Sequence, residues 1–330
     1  MKIGVLQFFS WPEQRVELAT VYARALERIE IMDRTGYDAV WLAEHHFSSF
    51  SVCPSVHMMG TLAAARTRRL RIGTAVSLAP FYHPLRLAEE VALLDQLSGG
   101  RVNWGAGRGF ARVEFTAFGV PPEESASRFQ ETVEIVLKAW TQDRLSFAGK
   151  HFHFDDVEVL PKPAQRPRPP VWLAASSEPA LDWAADRGYS ILMDPHSSAR
   201  EIGDKRRHYA EKLAANGFSE TGRDIPIARL VAIADSAGKA MSVARSGAEW
   251  IVNSYLGAQH RPVMQGSFTP AGVDPIQRYL DQVILHGTAD KVLDDILRLR
   301  EEIGLNYLLC APLSHETFML LTEKVLPRLP

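Results

Sequence analysis

The sequence predicts an α/β fold of the (β/α)8 TIM-barrel class with insertions, and three observations predict it. Eight short apolar runs, of the kind parallel strands form when both faces are buried, alternate with amphipathic stretches of helical length. Three junctions carry a Gly just ahead of a strand, in Thr35-Gly36-Tyr37-Asp38, Arg187-Gly188-Tyr189 and Ile303-Gly304-Leu305-Asn306, as helix C-terminal glycines do. The run Trp41-Leu42-Ala43 stops in Glu44-His45-His46-Phe47, placing titratable groups at the C-terminal tip of a strand, where such a barrel presents its chemistry.

The strands are expected over 2–8, 38–43, 70–76, 102–106, 170–175, 190–193, 227–234 and 306–311. Between them the apolar spacing predicts helices over 16–34, 55–65, 85–97, 127–140, 178–186, 199–215, 239–253, 289–303 and 316–326. Strict alternation requires parallel strands with right-handed crossovers. Residues 1–330 therefore read as one domain with two interruptions. Near 145–160, aromatics flank Gly149-Lys150 and then alternate, which predicts an appended hairpin. Its His151 and His153 would share one face, either solvated or metal-binding. Near 256–275 a Gly-, Gln- and Pro-rich stretch reads as a mobile active-site lid or a plain surface loop. The Pro-rich run 161–170 reads as a rigid connector into the fifth strand.

Composition bounds the function. With 330 residues, 46% of them hydrophobic and 23% charged, and a formal net charge of -2, the chain offers no electrostatic argument for a nucleic acid or an anionic membrane as partner. No apolar run is long enough to span a bilayer, and the strand-like start at Lys2 does not resemble a signal peptide, so a cytoplasmic location is expected. The two cysteines, Cys53 and Cys310, lack metal-ligand spacing and suggest no disulfide framework. Cys310 reads as a small core residue, and Cys53 as a packing or pocket-lining one.

Neighbouring residues on a strand face opposite ways, so one of His45 and His46 enters a cavity and the other packs. Glu44 either orients the working His or lies buried behind it. In Gly105-Ala106-Gly107-Arg108-Gly109-Phe110 the glycines allow close backbone approach and Arg108 suits a phosphate, although such a turn is also compatible with a structural role. Ser176 and Ser177 precede Glu178-Pro179, the signature of a helix N-terminus, and are either plain N-caps or part of an anion site that Arg108 would share. His83 either faces the mouth of the barrel or caps the next helix.

Taken in order, Trp41 to Phe47, Leu70 to Pro84, Leu93-Leu94-Asp95-Gln96-Leu97-Ser98-Gly99-Gly100-Arg101, Gly107-Arg108-Gly109, Trp183-Ala184-Ala185-Asp186-Arg187-Gly188 and Gly287-Thr288-Ala289 resemble the bacterial luciferase-like flavin monooxygenases, the luciferase α subunit in particular. The resemblance implies a (β/α)8 barrel that binds reduced FMN at the strand tips and reacts it with molecular oxygen, through a flavin 4a-peroxide, to oxygenate a small organic substrate. It implies His45 as the catalytic His, Arg108 as the phosphate-binding Arg, Ser176 and Ser177 beside that phosphate, and a cis peptide at Ala75-Val76 against the flavin ring. Gly107 stands where luciferase has a reactive Cys, and Ser176 where it has an acidic residue. Asp194-Pro195-His196 lacks a Trp of luciferase, which weighs against an aldehyde substrate and light emission. No dinucleotide fingerprint is present, so reduced flavin would come from a separate flavin reductase. A homodimer is implied, with Leu87, Val91 and Leu94 as its face or as an ordinary core stripe. A deazaflavin-dependent hydride-transfer enzyme and a non-catalytic flavin-binding subunit are the rival readings.

Overall fold

The computed structural model describes residues 1–255 and 272–330. In chain order its strands are β1 (Lys2–Gln7), β2 (Ala39–Leu42), β3 (Arg71–Thr74), β4 (Ser77–Leu78), β5 (Val102–Gly107), β6 (Leu145–Ala148), β7 (His153–Val157), β8 (Val171–Ala174), β9 (Ser190–Leu192), β10 (Pro226–Ile233), β11 (Leu285–Gly287) and β12 (Tyr307–Pro312). The helices are α1 (Leu18–Arg34), α2 (Val56–Arg66), α3 (Pro84–Ser98), α4 (Arg112–Phe118), α5 (Ser125–Thr141), α6 (Glu178–Asp186), α7 (Ala199–Ala215), α8 (Ala237–Tyr255), α9 (Pro275–Arg278), α10 (Ala289–Ile303) and α11 (His315–Leu320).

A curled sheet of parallel strands runs in the order β9-β8-β5-β3-β2-β1-β12-β10-β11, with β4 beside β5. An isolated parallel bridge joins Met193, just past β9, to Ile227 on β10. Each of the eight predicted runs forms a strand of this sheet. The run 70–76 contributes β3, the Ala75–Val76 peptide near its end is cis, and β4 lies just beyond the run. The short strand β11 and helix α4 have no counterpart in the sequence reading.

Alternation divides the core in two. On β2, β10 and β12 the inward set is Ala39 and Trp41, Ala228, Leu230 and Ala232, and Tyr307, Leu309 and Ala311, while Val40, Val231 and Leu308 turn outward to the helices. The sheet interior is narrow, and Trp41 fills it. A Cβ at Gly73 would lie 2.4 Å from the Trp41 indole, and one at Gly105 would lie 2.0 Å from the Thr74 carbonyl oxygen. The Thr74 hydroxyl locks the same spot, donating to Gly105 O at 2.7 Å and accepting from Gly105 N at 2.9 Å.

Two of the three predicted helix-ending glycines are left-handed, Gly188 at φ 65 and Gly304 at φ 63. Gly36 is not among them. There Thr35 ends α1, its hydroxyl donating to Ile31 O at 2.9 Å. Residues 145–157 form the antiparallel pair β6–β7. In the stretch 161–170, the Gln165 side chain and backbone N–H both donate to Asp95, at 2.8 and 2.9 Å. Of the irregular stretch expected near 256–275, residues 256–271 lie outside the described residues, and a turn then leads into α9. Leu87, Val91 and Leu94 are buried, so their stripe faces the core. The apolar residues that α2 and α3 expose are Met58, Leu62, Leu93 and Leu97, spaced i, i+4 on two helices packed side by side.

Gly105→Ala is expected to cost about 3 kcal/mol or more, since backbone must move to admit the methyl group. Gly238→Ala, in α8 with nothing within 4 Å of the new Cβ, is expected to leave stability unchanged or slightly raised. Urea unfolding of both variants beside the parent checks the contrast.

Candidate active site

A cavity of about 250 Å³ opens at the C-terminal tips of the strands, and His45, Val76, Arg108, Ser176, Ser177 and His196 all line it. Five of these six come from the sequence reading, and Ala75 and Glu44 line it too.

One end carries imidazole chemistry. His45 Nδ1 lies 3.5 Å from Glu114 Oε1, and the rings of Phe8, Phe50 and Phe110 surround His45 with centroids 5.1 to 6.4 Å away. His46 turns away, its Nε2 3.0 Å from Glu44 Oε1 and its ring against Phe118. Of the two readings of Glu44, orienting the working His or lying buried behind it, the structure agrees with the second. Glu44 is buried behind the site, where it binds His46 and accepts the Tyr82 hydroxyl at 2.9 Å, and that burial together with the Glu44 charge raises the Tyr82 pKa. The carboxylate beside His45 belongs to Glu114 of α4. Its Oε1 also accepts His46 N–H at 3.0 Å, and its Oε2 is buried with no hydrogen-bond partner. A carboxylate between Val113 and Phe115 in an apolar heptapeptide was the signal that could have found it.

The other end suits an anion. Arg108 is half-buried, burial lowers its pKa, and it forms no ion pair among the described residues. Facing it, Ser177 sits at the N-cap of α6 but makes no side-chain cap bond, and Pro179 occupies the first turn. The unspent hydroxyl and the positive end of the helix dipole both favour negative charge. Between the two ends the wall is backbone. A Cβ at Gly107 would lie 2.3 Å from Val76 Cγ2, so glycine at this position is what lets the Val76 side chain pack against the strand there.

A polar network after β9, not foreseen as functional, closes the third side. Asp194 Oδ1 accepts the His196 and Ser197 N–H groups at 2.9 and 2.8 Å, and its Oδ2 lies 3.3 Å from Lys205 Nζ. Burial raises the Asp194 pKa, but Lys205, His196 and these hydrogen bonds outweigh it and hold the carboxyl at about 2. His196 Nδ1 lies 2.8 Å from the Tyr279 hydroxyl, and Arg278 donates to His196 O at 2.9 Å. Burial pushes the His196 imidazole down to about 4, with Asp194 opposing and His45, Arg278 and Lys205 reinforcing the shift. The capping box of Ser198 and Glu201 fixes this turn, and that pair was readable in Ser198-Ala199-Arg200-Glu201.

Other sequence candidates lie elsewhere. His83 does not line the cavity; it is the N-cap residue of α3, as one of its two readings had it, without a side-chain cap bond, and its ring packs against Phe152 and Phe154 of the hairpin. His151 is not solvated, since its Nε2 lies 2.7 Å from Ser127 Oγ. Cys53 and Cys310 are both buried, Cys53 outside the cavity lining, and burial pushes each thiol up to about 12. Among the described residues no group of three or more His, Cys, Asp or Glu is arranged to hold a metal.

Comparison with known proteins gives a consistent picture. A family model described as luciferase-like monooxygenase matches residues 1–307. The chain is 35% identical over 295 residues, 89% of its own length and 85% of the relative's, to the uncharacterized protein y4wF of Sinorhizobium fredii. It is 28% identical to the oxygenase component of the flavin-dependent trigonelline monooxygenase of Acinetobacter baylyi, over 78% of this chain and 72% of the relative. The crystal structure of monooxygenase RslO1 from Streptomyces bottropensis superposes with a TM-score of 0.86 at 28% identity, covering 99% of both chains.

His196 stays neutral in the folded protein down to about pH 4, whereas an unfolded imidazole titrates near 6.5. Its contribution is thus fully present above pH 6.5 and is lost as pH falls toward 4, by on the order of 3 kcal/mol. Urea midpoints measured from pH 7 to 4.5 should show a slope that His196→Gln flattens, and equal slopes in parent and variant would refute the assignment.

Proposed function

The chain belongs to the luciferase-like monooxygenase family, and on that premise we propose that it is the oxygenase of a two-component system, which takes reduced FMN from a flavin reductase and uses molecular oxygen to oxygenate a small organic substrate. The observation that carries the reading is the polarity of one cavity, with an unpaired Arg108 and the α6 N-terminus at one end and the His45–Glu114 pair at the other. We read the curled sheet as a closed (β/α)8 barrel, with the Met193–Ile227 bridge as its seam.

The residues fit FMN. Arg108, Ser176, Ser177 and the α6 dipole supply donors for a phosphate, and the small residues Ala75, Gly107 and Ala174 with Val76 line the cavity between the phosphate end and His45, where a ring would lie. When bound, reduced FMN supplies the electrons that activate oxygen. The protein's part is positional and protic. Phe8, Phe50 and Phe110 keep water from the His45 end. His45 holds and passes a proton as general acid/base, and Glu114, 3.5 Å from Nδ1, orients the ring. Neutral His196, tied to Tyr279, presents a second imidazole across the cavity without adding charge. Glu44 acts only by fixing His46 and Tyr82 behind His45. The exposed Met58, Leu62, Leu93 and Leu97 face supports a homodimer through α2 and α3.

Anaerobic titration with reduced FMN, followed by oxygen uptake, tests the reading. Arg108→Ala is expected to weaken FMN binding at least tenfold, since about 1.5 to 3 kcal/mol rides on a charged hydrogen bond. His45→Ala is expected to slow oxygen-dependent turnover by about a hundredfold with FMN affinity within twofold of the parent. Tight binding of a deazaflavin in place of FMN would move the reading to hydride transfer, and FMN binding without oxygen uptake would make the chain a non-catalytic subunit. Leu97→Glu should shift sedimentation from dimer to monomer if α2 and α3 form the interface.

A further inference from the structure

A second cavity of about 800 Å³ adjoins the first, and Leu6, Phe8 and His196 line both. The two spaces thus share a partition of three side chains. Size alone suits an organic ligand. The inner wall is apolar, with Phe50, Leu230 and Leu313, whereas the outer wall, built by α1 and α8, carries Arg24, Arg28, Ser246 and Trp250.

The charges on this wall do not cancel. Glu13 and Arg15 both line the cavity but bind each other at 2.8 Å, which leaves Arg24 and Arg28 against Glu249 alone, with His315 nearby on the lining. Neither Arg24 nor Arg28 forms an ion pair among the described residues. Arg28 Nε is buried with no hydrogen-bond partner, and so is Trp250 Nε1. Burial and the neighbouring Arg24 lower the Arg28 pKa only to about 10, so it remains a cation at neutral pH. Its guanidinium stands 5.4 Å from the Phe318 ring centroid, which orients the planar group without satisfying Nε. Buried donors of a cation with no acceptor are costly, and an incoming anion would relieve that cost.

We propose that the second cavity is the substrate chamber and that it selects an organic anion, a flat or apolar body ending in a carboxylate, with Arg28 receiving the carboxylate, Arg24 adding to the field, and the body lying toward Phe8 and His196. The word substrate rests on the oxygenase reading above, while anion binding does not. An acidic end held at α1 leaves the far end of the molecule at the partition with the flavin cavity, so oxygenation falls on a carbon remote from the carboxylate. Neutral His196 at that partition suits an apolar body better than a charged imidazole would.

Isothermal titration of the full chain, with and without saturating FMN, uses 2-naphthoate and its neutral isostere 2-naphthamide as probes. The parent is expected to bind the carboxylate at least tenfold more tightly than the amide, with FMN leaving both unchanged. Arg28→Gln should remove the preference by weakening the carboxylate alone, Arg28→Lys should restore part of it, and Arg24→Gln should reduce it by about twofold to threefold. The proposal is overturned if the parent binds the two probes alike, if the preference survives in Arg28→Gln, or if FMN competes with the naphthoate. Should Arg28→Gln fail to fold, Arg28→Lys and Arg24→Gln still decide it, since an unchanged preference in both refutes the role. Arg28-dependent naphthoate binding in a protein that consumes no oxygen with reduced FMN would sink the oxygenase reading and leave the anion chamber standing.

Discussion

The indole of Trp41 is the constraint around which the sheet is built. It is wholly buried, its N–H donates to the Tyr307 hydroxyl at 3.0 Å, that hydroxyl in turn donates to Asp38, and Trp172 meets it edge-on at 5.3 Å. A parallel sheet curled this tightly has little interior volume, and glycines at 4, 73 and 105 vacate what the indole occupies. The consequence is vertical order. With the indole filling the sheet interior at the level of β2, the strand tip lies just past it, and Glu44 and His45 follow Trp41 by three and four residues.

Above the plug, three imidazoles are kept distinct by three different partners. His45 has the Glu114 carboxylate, His46 has Glu44, and His196 has the Tyr279 hydroxyl. The same residue type is therefore held in three different settings within one small volume. Burying Glu44, Glu114 and Asp194 near one another is tolerable because each lies against an imidazole, backbone N–H groups or an ammonium group. The orphaned Oε2 of Glu114 is the one carboxylate oxygen in this group without a partner.

Much of the fold was legible because strands buried on both faces announce themselves as continuous apolar runs, and eight such runs are eight strands here. What escaped was short or unsupported by pattern. Leu285-His286-Gly287 pairs with β10 on backbone geometry alone, and α4 is a seven-residue helix started by the turn after Gly109. Gly36 misled because Thr35 closes α1 with its own hydroxyl. In the site, residues at strand tips were found by position, whereas Glu114 and His196 come from an irregular turn and a short helix whose approach to His45 is purely tertiary. Glu44 was found with its role left open, since sequence adjacency to His45 says nothing about which imidazole its carboxylate reaches. Arg28 and Trp250 lie 222 residues apart, and nothing local links them.

The burial of both cysteines has a consequence for endurance. An enzyme that handles oxygen works beside hydrogen peroxide leaked from its own cofactor, and peroxide attacks the thiolate rather than the thiol. With Cys53 and Cys310 enclosed and their thiols held up to about 12, almost no thiolate exists at neutral pH, and Gly107 puts no sulfur at the flavin wall. Burial thus shields both cysteines from peroxide, which needs access to a thiolate.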